Sequence, residues 1–100
     1  TFFGKYQLVY VMEKKDDQEK ILEKVVSLVD ENSRVSIDVY DYDKCFLVVK
    51  DFESKDKAEE IKRYLGESVE LLKLKNNFVV LSSQYKNMLI YKTLDLYRND

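Results

Sequence analysis

No proline occurs in these 100 residues, and glycine occurs only at positions 4 and 66. A Pro/Gly-rich linker, a low-complexity tract and a glycine-rich phosphate cradle are therefore excluded. Histidine is absent and Cys45 is the only cysteine. A Cys/His zinc site, a Ser-His-Asp triad, a Cys-His dyad and a disulfide within one chain thus have no residues to build them. One thiol leaves the redox compartment open. Long apolar runs are missing too: Leu8 to Met12 and Phe46 to Val49 fall far below the ~18 residues that cross a bilayer. No membrane insertion by this segment is expected, and no charged-then-apolar targeting pattern occurs within it. Charge of one sign is not in excess, since 17 Lys+Arg face 19 Asp+Glu for a net −2. Bulk attraction to a polyanion is therefore not available, and a nucleic-acid partner is not expected.

What remains is the composition of one folded domain, with 45% hydrophobic, 13% aromatic and 36% charged residues. That balance fills a core and still dissolves, and a chain of this length carries a single domain. The first residue is Thr1, followed by Phe2 and Phe3, and the chain is expected to be excised from a larger protein. Lys5 to Met12 (KYQLVYVM) reads as a strand covered on both faces. Ile21, Leu22, Val25, Val26, Leu28 and Val29 repeat with helical spacing, and Asp16 with Glu19 resembles a capping box at the helix start. Arg34 to Tyr40 alternates strictly, with Val35, Ile37 and Val39 on one side, as a half-buried strand does. The polar turn Asp41 to Lys44 leads into Cys45 to Lys50 (CFLVVK), apolar on both faces and therefore central. Ser54 caps a second helix striped by Ala58, Ile61, Tyr64 and Leu65, and Gly66 is expected to end it in the left-handed conformation. Val69 to Leu74 reads as a strand, Asn76-Asn77 as a turn and Phe78 to Leu81 as another strand, with Ser82 or Ser83 capping a final helix.

This order predicts an α+β fold of the ferredoxin-like, split βαβ type (βαββαβ). It has one antiparallel sheet, two backing helices and an added C-terminal strand and helix. The fold hosts sensors, RNA binders, glycan binders and interaction modules, so it selects no function by itself.

No constellation of side chains carries an evident chemistry. Asp38, Asp41 and Asp43 cluster at the hairpin, but their spacing matches no calcium loop and suits turn formation. Cys45 opens an apolar strand without a histidine to activate it, as a buried structural thiol does. Glu59, Glu60, Glu67 and Glu70 fall on and after a solvated helix face rather than across a cleft. No catalytic residue, cofactor or metal is expected. The aromatic residues say more. Tyr6 and Tyr10 share one face of the first strand, and with Phe46 they offer flat rings that stack sugars or bases if the sheet face is open. A third helix lying on that face would turn them into core. Residues 73 to 100 hold five cations, Lys73, Lys75, Lys86, Lys92 and Arg98, against Asp95 and Asp100, a balance of +3 that leaves −5 for the rest. Such a basic C-terminal face suits an acidic partner.

Three family resemblances map onto this fold. Val48 to Gly66 (VVKDFESKDKAEEIKRYLG) resembles the third strand and second helix of an RNA recognition motif, in the spacing of Phe52 and Ala58, although the family's glycine-aromatic octamer is not present. Phe52, Ser54 and Ala58 are also similar to the sporulation-related repeat that binds peptidoglycan glycan strands, with Asp51 where that family usually has glycine. The widest resemblance is to the C-terminal domain of envelope-associated tetratricopeptide lipoproteins of Bacteroidota, tied to gliding and type IX secretion. It runs from Tyr6 to Val9, through Val48, Val49, Phe52, Ser54 and Ala58, to Phe78-Val79-Val80-Leu81-Ser82 and Gln84-Tyr85. Leu89, Tyr91, Lys92, Asp95 and Tyr97 complete it, with Gln84 replacing the usual Asn and Leu94 inserted before Asp95.

This last resemblance implies a non-catalytic interaction domain in the cell envelope or periplasm, docking onto a protein of a secretion or motility complex. Its contact surface is expected around Tyr85, Tyr91 and Tyr97 with Lys86 and Lys92 at the rim, since interfaces enrich aromatics within a charged border. The competing arrangement has Tyr85, Met88, Leu89 and Leu96 packing the last helix on the sheet. Two alternatives stand beside it: a module binding peptidoglycan glycan or RNA on an open sheet face through Tyr6, Tyr10 and Phe46, and a small-molecule sensor that oligomerises through an edge strand.

Overall fold

The computed structural model describes residues 5–30, 33–73 and 75–97. Its elements run β1 (Tyr6–Glu13), α1 (Gln18–Leu28), β2 (Arg34–Val39), β3 (Lys44–Phe52), α2 (Lys55–Ser68), α3 (Glu70–Lys73), β4 (Asn77–Leu81) and α4 (Ser82–Tyr91), then a 3-10 turn at Leu94–Leu96. The strands form one four-stranded sheet in the order β2-β3-β1-β4, antiparallel throughout. This is the split βαβ arrangement, and the fold is α+β and ferredoxin-like, as expected.

β1 and β3 lie at the centre because they are apolar on both faces: Leu8 to Met12 and Cys45 to Val49 are all buried. Alternation sends their side chains to two separate cores. Leu8, Tyr10, Met12, Leu47 and Val49 meet Ile21 and Val25 of α1, Leu65 of α2 and Leu72 of α3 on one side. Val9, Val11, Phe46 and Val48 meet Phe78, Val80, Tyr85, Met88 and Leu94 on the other. Cys45 is buried, and burial pushes its thiol pKa up, as for an unreactive structural cysteine.

Several local expectations are corrected. Val69 to Leu74 is not a strand; Val69 ends α2 and Glu70–Lys73 is a helical turn, with Leu74 outside the described residues. Val69 and Leu72 are both buried in the same core, a spacing of three that a helix satisfies and a strand does not. Among the described residues the sheet therefore has no added C-terminal strand, and 77–81 is its fourth member. Asp17 rather than Asp16 caps α1, accepting from the Lys20 N–H at 3.2 Å. Asp16 instead accepts from the Glu13 N–H at 2.8 Å and from Lys75 Nζ at 2.7 Å. Ser54 caps α2 as expected, accepting from Lys57 N–H at 3.2 Å. Neither Ser82 nor Ser83 caps α4; Gln84 Oε1 reaches back to accept from Leu81 N–H at 3.0 Å.

Near the end of β3 the register with β1 shifts between Tyr6↔Phe52 and Leu8↔Val49, so Lys50 and Asp51 together oppose Gln7 as in a β-bulge. Asp51 sits at φ 66°, a left-handed conformation that favours glycine. The buried Gln7 stitches this bulge to α4: its Oε1 accepts from Asp51 N–H at 3.2 Å and its Nε2 donates to Ser82 Oγ at 2.7 Å.

Gly66 does not end α2, which continues to Ser68 with Gly66 free of positive φ. A Cβ there meets nothing within 4 Å. Gly66→Ala is expected to raise stability by about 0.5–1 kcal/mol through helix propensity alone, read as a higher urea midpoint at unchanged slope. Asp16 supplies a second test. Partial burial raises the pKa of its carboxyl, but the Lys75 and Glu13 donors outweigh that and hold it below its usual value. A depressed folded-state pKa stabilises above the unfolded value and loses that contribution as pH falls through the folded one. Asp16→Asn is therefore expected to cost about 1–2 kcal/mol at pH 7, with the gap to the parent protein narrowing at strongly acid pH in urea titrations.

Candidate interaction surface

The C-terminal segment decides which surfaces are exposed. β4 passes directly into α4, and Ser82 anchors the junction by donating from its N–H and its hydroxyl to the Lys5 carbonyl at 3.0 and 3.1 Å. α4 then lies across the sheet with Tyr85 and Met88 inward. Tyr85 Oη donates to Asp38 Oδ2 at 2.6 Å, and its ring lies 6.1 Å from that of Phe46. Burial first, and then the hydrogen bond to Asp38, push the Tyr85 phenol far up from its usual pKa, so it stays a neutral donor.

Beyond α4 the chain is latched onto Tyr40. Lys92 occupies a left-handed C-cap at φ 56°. Its Nζ donates to the Tyr40 carbonyl and lies 4.8 Å from the centre of the Tyr40 ring, a cation–π contact. Leu94 N–H donates to Tyr40 Oη at 3.0 Å, and the Tyr40 ring sits 4.9 Å from Phe46. Tyr97 stacks on Phe78 at 6.0 Å.

This arrangement divides the five expected contact residues. Tyr85 is core, Tyr97 is half-buried against Phe78, and the head of Lys92 is occupied by Tyr40. Lys86 and Tyr91 face outward, Tyr91 at 71% exposure. Two residues join them that the sequence reading missed: Ile90 at 60% and Leu96 at 79% exposure. The competing arrangement, with Tyr85, Met88, Leu89 and Leu96 packed on the sheet, holds for the first three but not for Leu96; Leu94, two residues earlier, takes the buried place. Ile90 was findable, because the inward positions 85 and 88 put 86, 87, 90 and 91 on the outer side of a helix. The outward turn of Leu96 depends on the 3-10 geometry and left no such mark.

The open sheet face needed by the alternative is not found. Phe46 is fully buried beneath α4, while Tyr6 and Tyr10 belong to the opposite face, Tyr10 buried among α1 and α2 and Tyr6 half-buried. They never formed one platform, because Tyr10 pairs with Leu47 and Phe46, one residue away, points to the other side. The hairpin aspartates also diverge. Asp38 turns to Tyr85, whereas Asp41 accepts from the N–H groups of Asp43 and Lys44, both at 2.8 Å, which hold its carboxyl below the usual range. Among the described residues no three His, Cys, Asp or Glu side chains gather to hold a metal ion. Glu59 pairs with Lys62 at 3.6 Å on α2, and Glu60, Glu67 and Glu70 are exposed.

Comparison with protein-family models, with curated proteins and with solved structures finds no match to this chain. Among the described residues no helix is long and apolar enough to cross a membrane.

The Tyr85 hydroxyl is the polar fastening between α4 and edge strand β2. Tyr85→Phe strips a half-buried carboxylate of a charge-assisted donor and is expected to destabilise the fold by about 1.5–3 kcal/mol. Thermal and urea unfolding measure the loss. Outer-face variants Lys86→Ala and Tyr91→Ala are expected to stay within about 0.5 kcal/mol of the parent.

Proposed function

We propose that this chain is a non-catalytic protein-interaction domain whose contact surface is the outer side of α4 with the turn that follows it. The observation that carries the reading is the exposure of Ile90, Tyr91 and Leu96, beside the outward Lys86, on a segment whose inner side is fully used by the core. Large apolar side chains with a basic border are the composition that protein interfaces enrich. α4 is thus a cover on one side and a docking face on the other.

The partner class follows from the resemblance to the envelope lipoproteins of Bacteroidota. On that reading the partner is a protein of a secretion or motility complex, and the domain works in the periplasm or cell envelope. The outward Lys86 favours a partner with an acidic group at the rim of its apolar centre.

Site-specific photo-crosslinking in the source cell tests this. A photoreactive residue at 90, 91 or 96 is expected to give the same discrete protein adduct from each position, and one at the exposed Lys24 of α1 none. Leu96→Asp is expected to abolish the adduct from position 91 while leaving the fold intact. Equal labelling from position 24, or no adduct from α4, would contradict the reading, and retention of the domain on purified glycan strands would move the function to a carbohydrate.

A further inference from the structure

The sheet ends at β2, and among the described residues nothing pairs with the outer side of that strand. Its hydrogen-bond phase follows from two bonds. Tyr40 N–H donates to Lys44 O at 3.1 Å and Lys14 N–H to Asp43 O at 2.9 Å. With Val39 opposite Cys45 and Glu13 opposite Lys44, the even residues of β3 bond to β2 and the odd ones to β1. In β2, Arg34, Ser36 and Asp38 therefore spend their backbone groups on β3. Val35, Ile37 and Val39 point their N–H and C=O groups outward.

Edge strands that stay unpaired usually carry lysine, proline, a bulge or an inward charge on this side. β2 has no proline or lysine, its register with β3 is unbroken from Arg34 to Val39, and its one inward charge, Asp38, is half-buried and bonded to the Tyr85 hydroxyl. Its two charges are of opposite sign, Arg34 at one end and Asp38 four residues on. A strand with that pattern is complementary to itself when turned antiparallel.

We propose that the outer edge of β2 pairs with the same edge of a second copy of this chain, with Ser36 opposite Ser36 on the two-fold axis. This register obeys the hydrogen-bond phase: Val35 of each copy faces Ile37 of the other, and both have outward backbone groups to exchange. Arg34 of each copy then faces Asp38 of the other at a non-hydrogen-bonded position, where side chains approach most closely. Val35 and Ile37 add apolar cross-strand contacts on the opposite face. The two sheets become one of eight strands with a closed, isologous interface.

The charges at this edge have neighbours that the pairing must accommodate. Arg34 already lies 3.0 Å from Asp51 in an exposed ion pair, which contributes little on its own, and its guanidinium has donors to spare. Asp38 accepts from Tyr85 and, at 3.3 Å, from Ser36 Oγ, and a carboxylate has further lone pairs to offer. α4 reaches β2 from its inner side, through Tyr85 on Asp38, so this backbone edge is separate from the outward Lys86, Ile90 and Tyr91 proposed for docking.

Sedimentation and amide exchange, from about 10 µM to about 1 mM as suits a small interface, test the pairing together. The mass is expected to climb from the chain's 12.0 kDa towards twice that value. The Val35 and Ile37 amides are expected to slow by about tenfold or more over the same range. Arg34→Asp sets carboxylates face to face and is expected to weaken association by at least about tenfold. Mixed with Asp38→Arg, it is expected to give a one-to-one heterodimer. If Asp38→Arg does not fold, exchange in the parent chain and the mass of the Arg34→Asp variant decide. A mass fixed at 12.0 kDa, a dimer whose Val35 and Ile37 amides stay fast, or an Arg34→Asp variant that pairs as before would each overturn the proposal.

Discussion

Two central strands that are apolar on both faces impose the constraint from which the rest of this structure follows. β1 and β3 cannot leave either side wet, since Val9, Phe46 and Val48 on one face are as apolar as Leu8, Leu47 and Val49 on the other. Two helices of a split βαβ unit cover only one face. The chain meets the remaining demand by continuing past β4 and laying α4 back across the sheet. There Tyr85, Met88 and Leu94 complete a second core. Polar fastenings hold the cover in register: Gln7 and Ser82 at its start, Tyr85 on Asp38 at its middle, and Lys92 and Leu94 on Tyr40 at its end.

Closing that face has a functional consequence. Ligand platforms on sheets of this kind need exposed rings, and here the rings are structural: Phe46 and Tyr40 pack at a tilt inside the second core, and Tyr10 lies inside the first. What the closure exposes instead is the outer side of the cover itself. A helix that buries Tyr85 and Met88 must turn Lys86, Ile90 and Tyr91 to solvent, and the 3-10 turn adds Leu96. The interaction reading rests on that exchange of one surface for another.

Much of the fold was legible from residue patterns. The doubly apolar run Lys5–Met12 announced a covered strand and Cys45–Lys50 a central one, the alternation of Arg34 to Tyr40 announced a half-buried strand, and Ser54 announced the start of α2. The misreadings share a cause: short segments in which packing overrides local preference. Val69 to Leu74 is apolar enough for a strand, yet Val69 and Leu72 reach one core only through a helical turn. Gly66 resembles a helix stop, but the chain needs α2 to run on to Val69. The site was less legible. Tyr85, Tyr91 and Tyr97 look alike in sequence, and only tertiary contacts with Asp38 and Phe78 separate the buried rings from the free one.

Solvent exposure of side chains on the two sides of α4 tests this account most directly. With a soluble paramagnetic agent added to the isotope-labelled protein, the Val9, Val48 and Met88 methyl signals are expected to stay sharp. Those of Ile90 and Leu96, and the ring signals of Tyr91, are expected to broaden strongly. Broadening of Val9 and Val48 to the same degree as Ile90 would show an open sheet face and contradict the account at its centre.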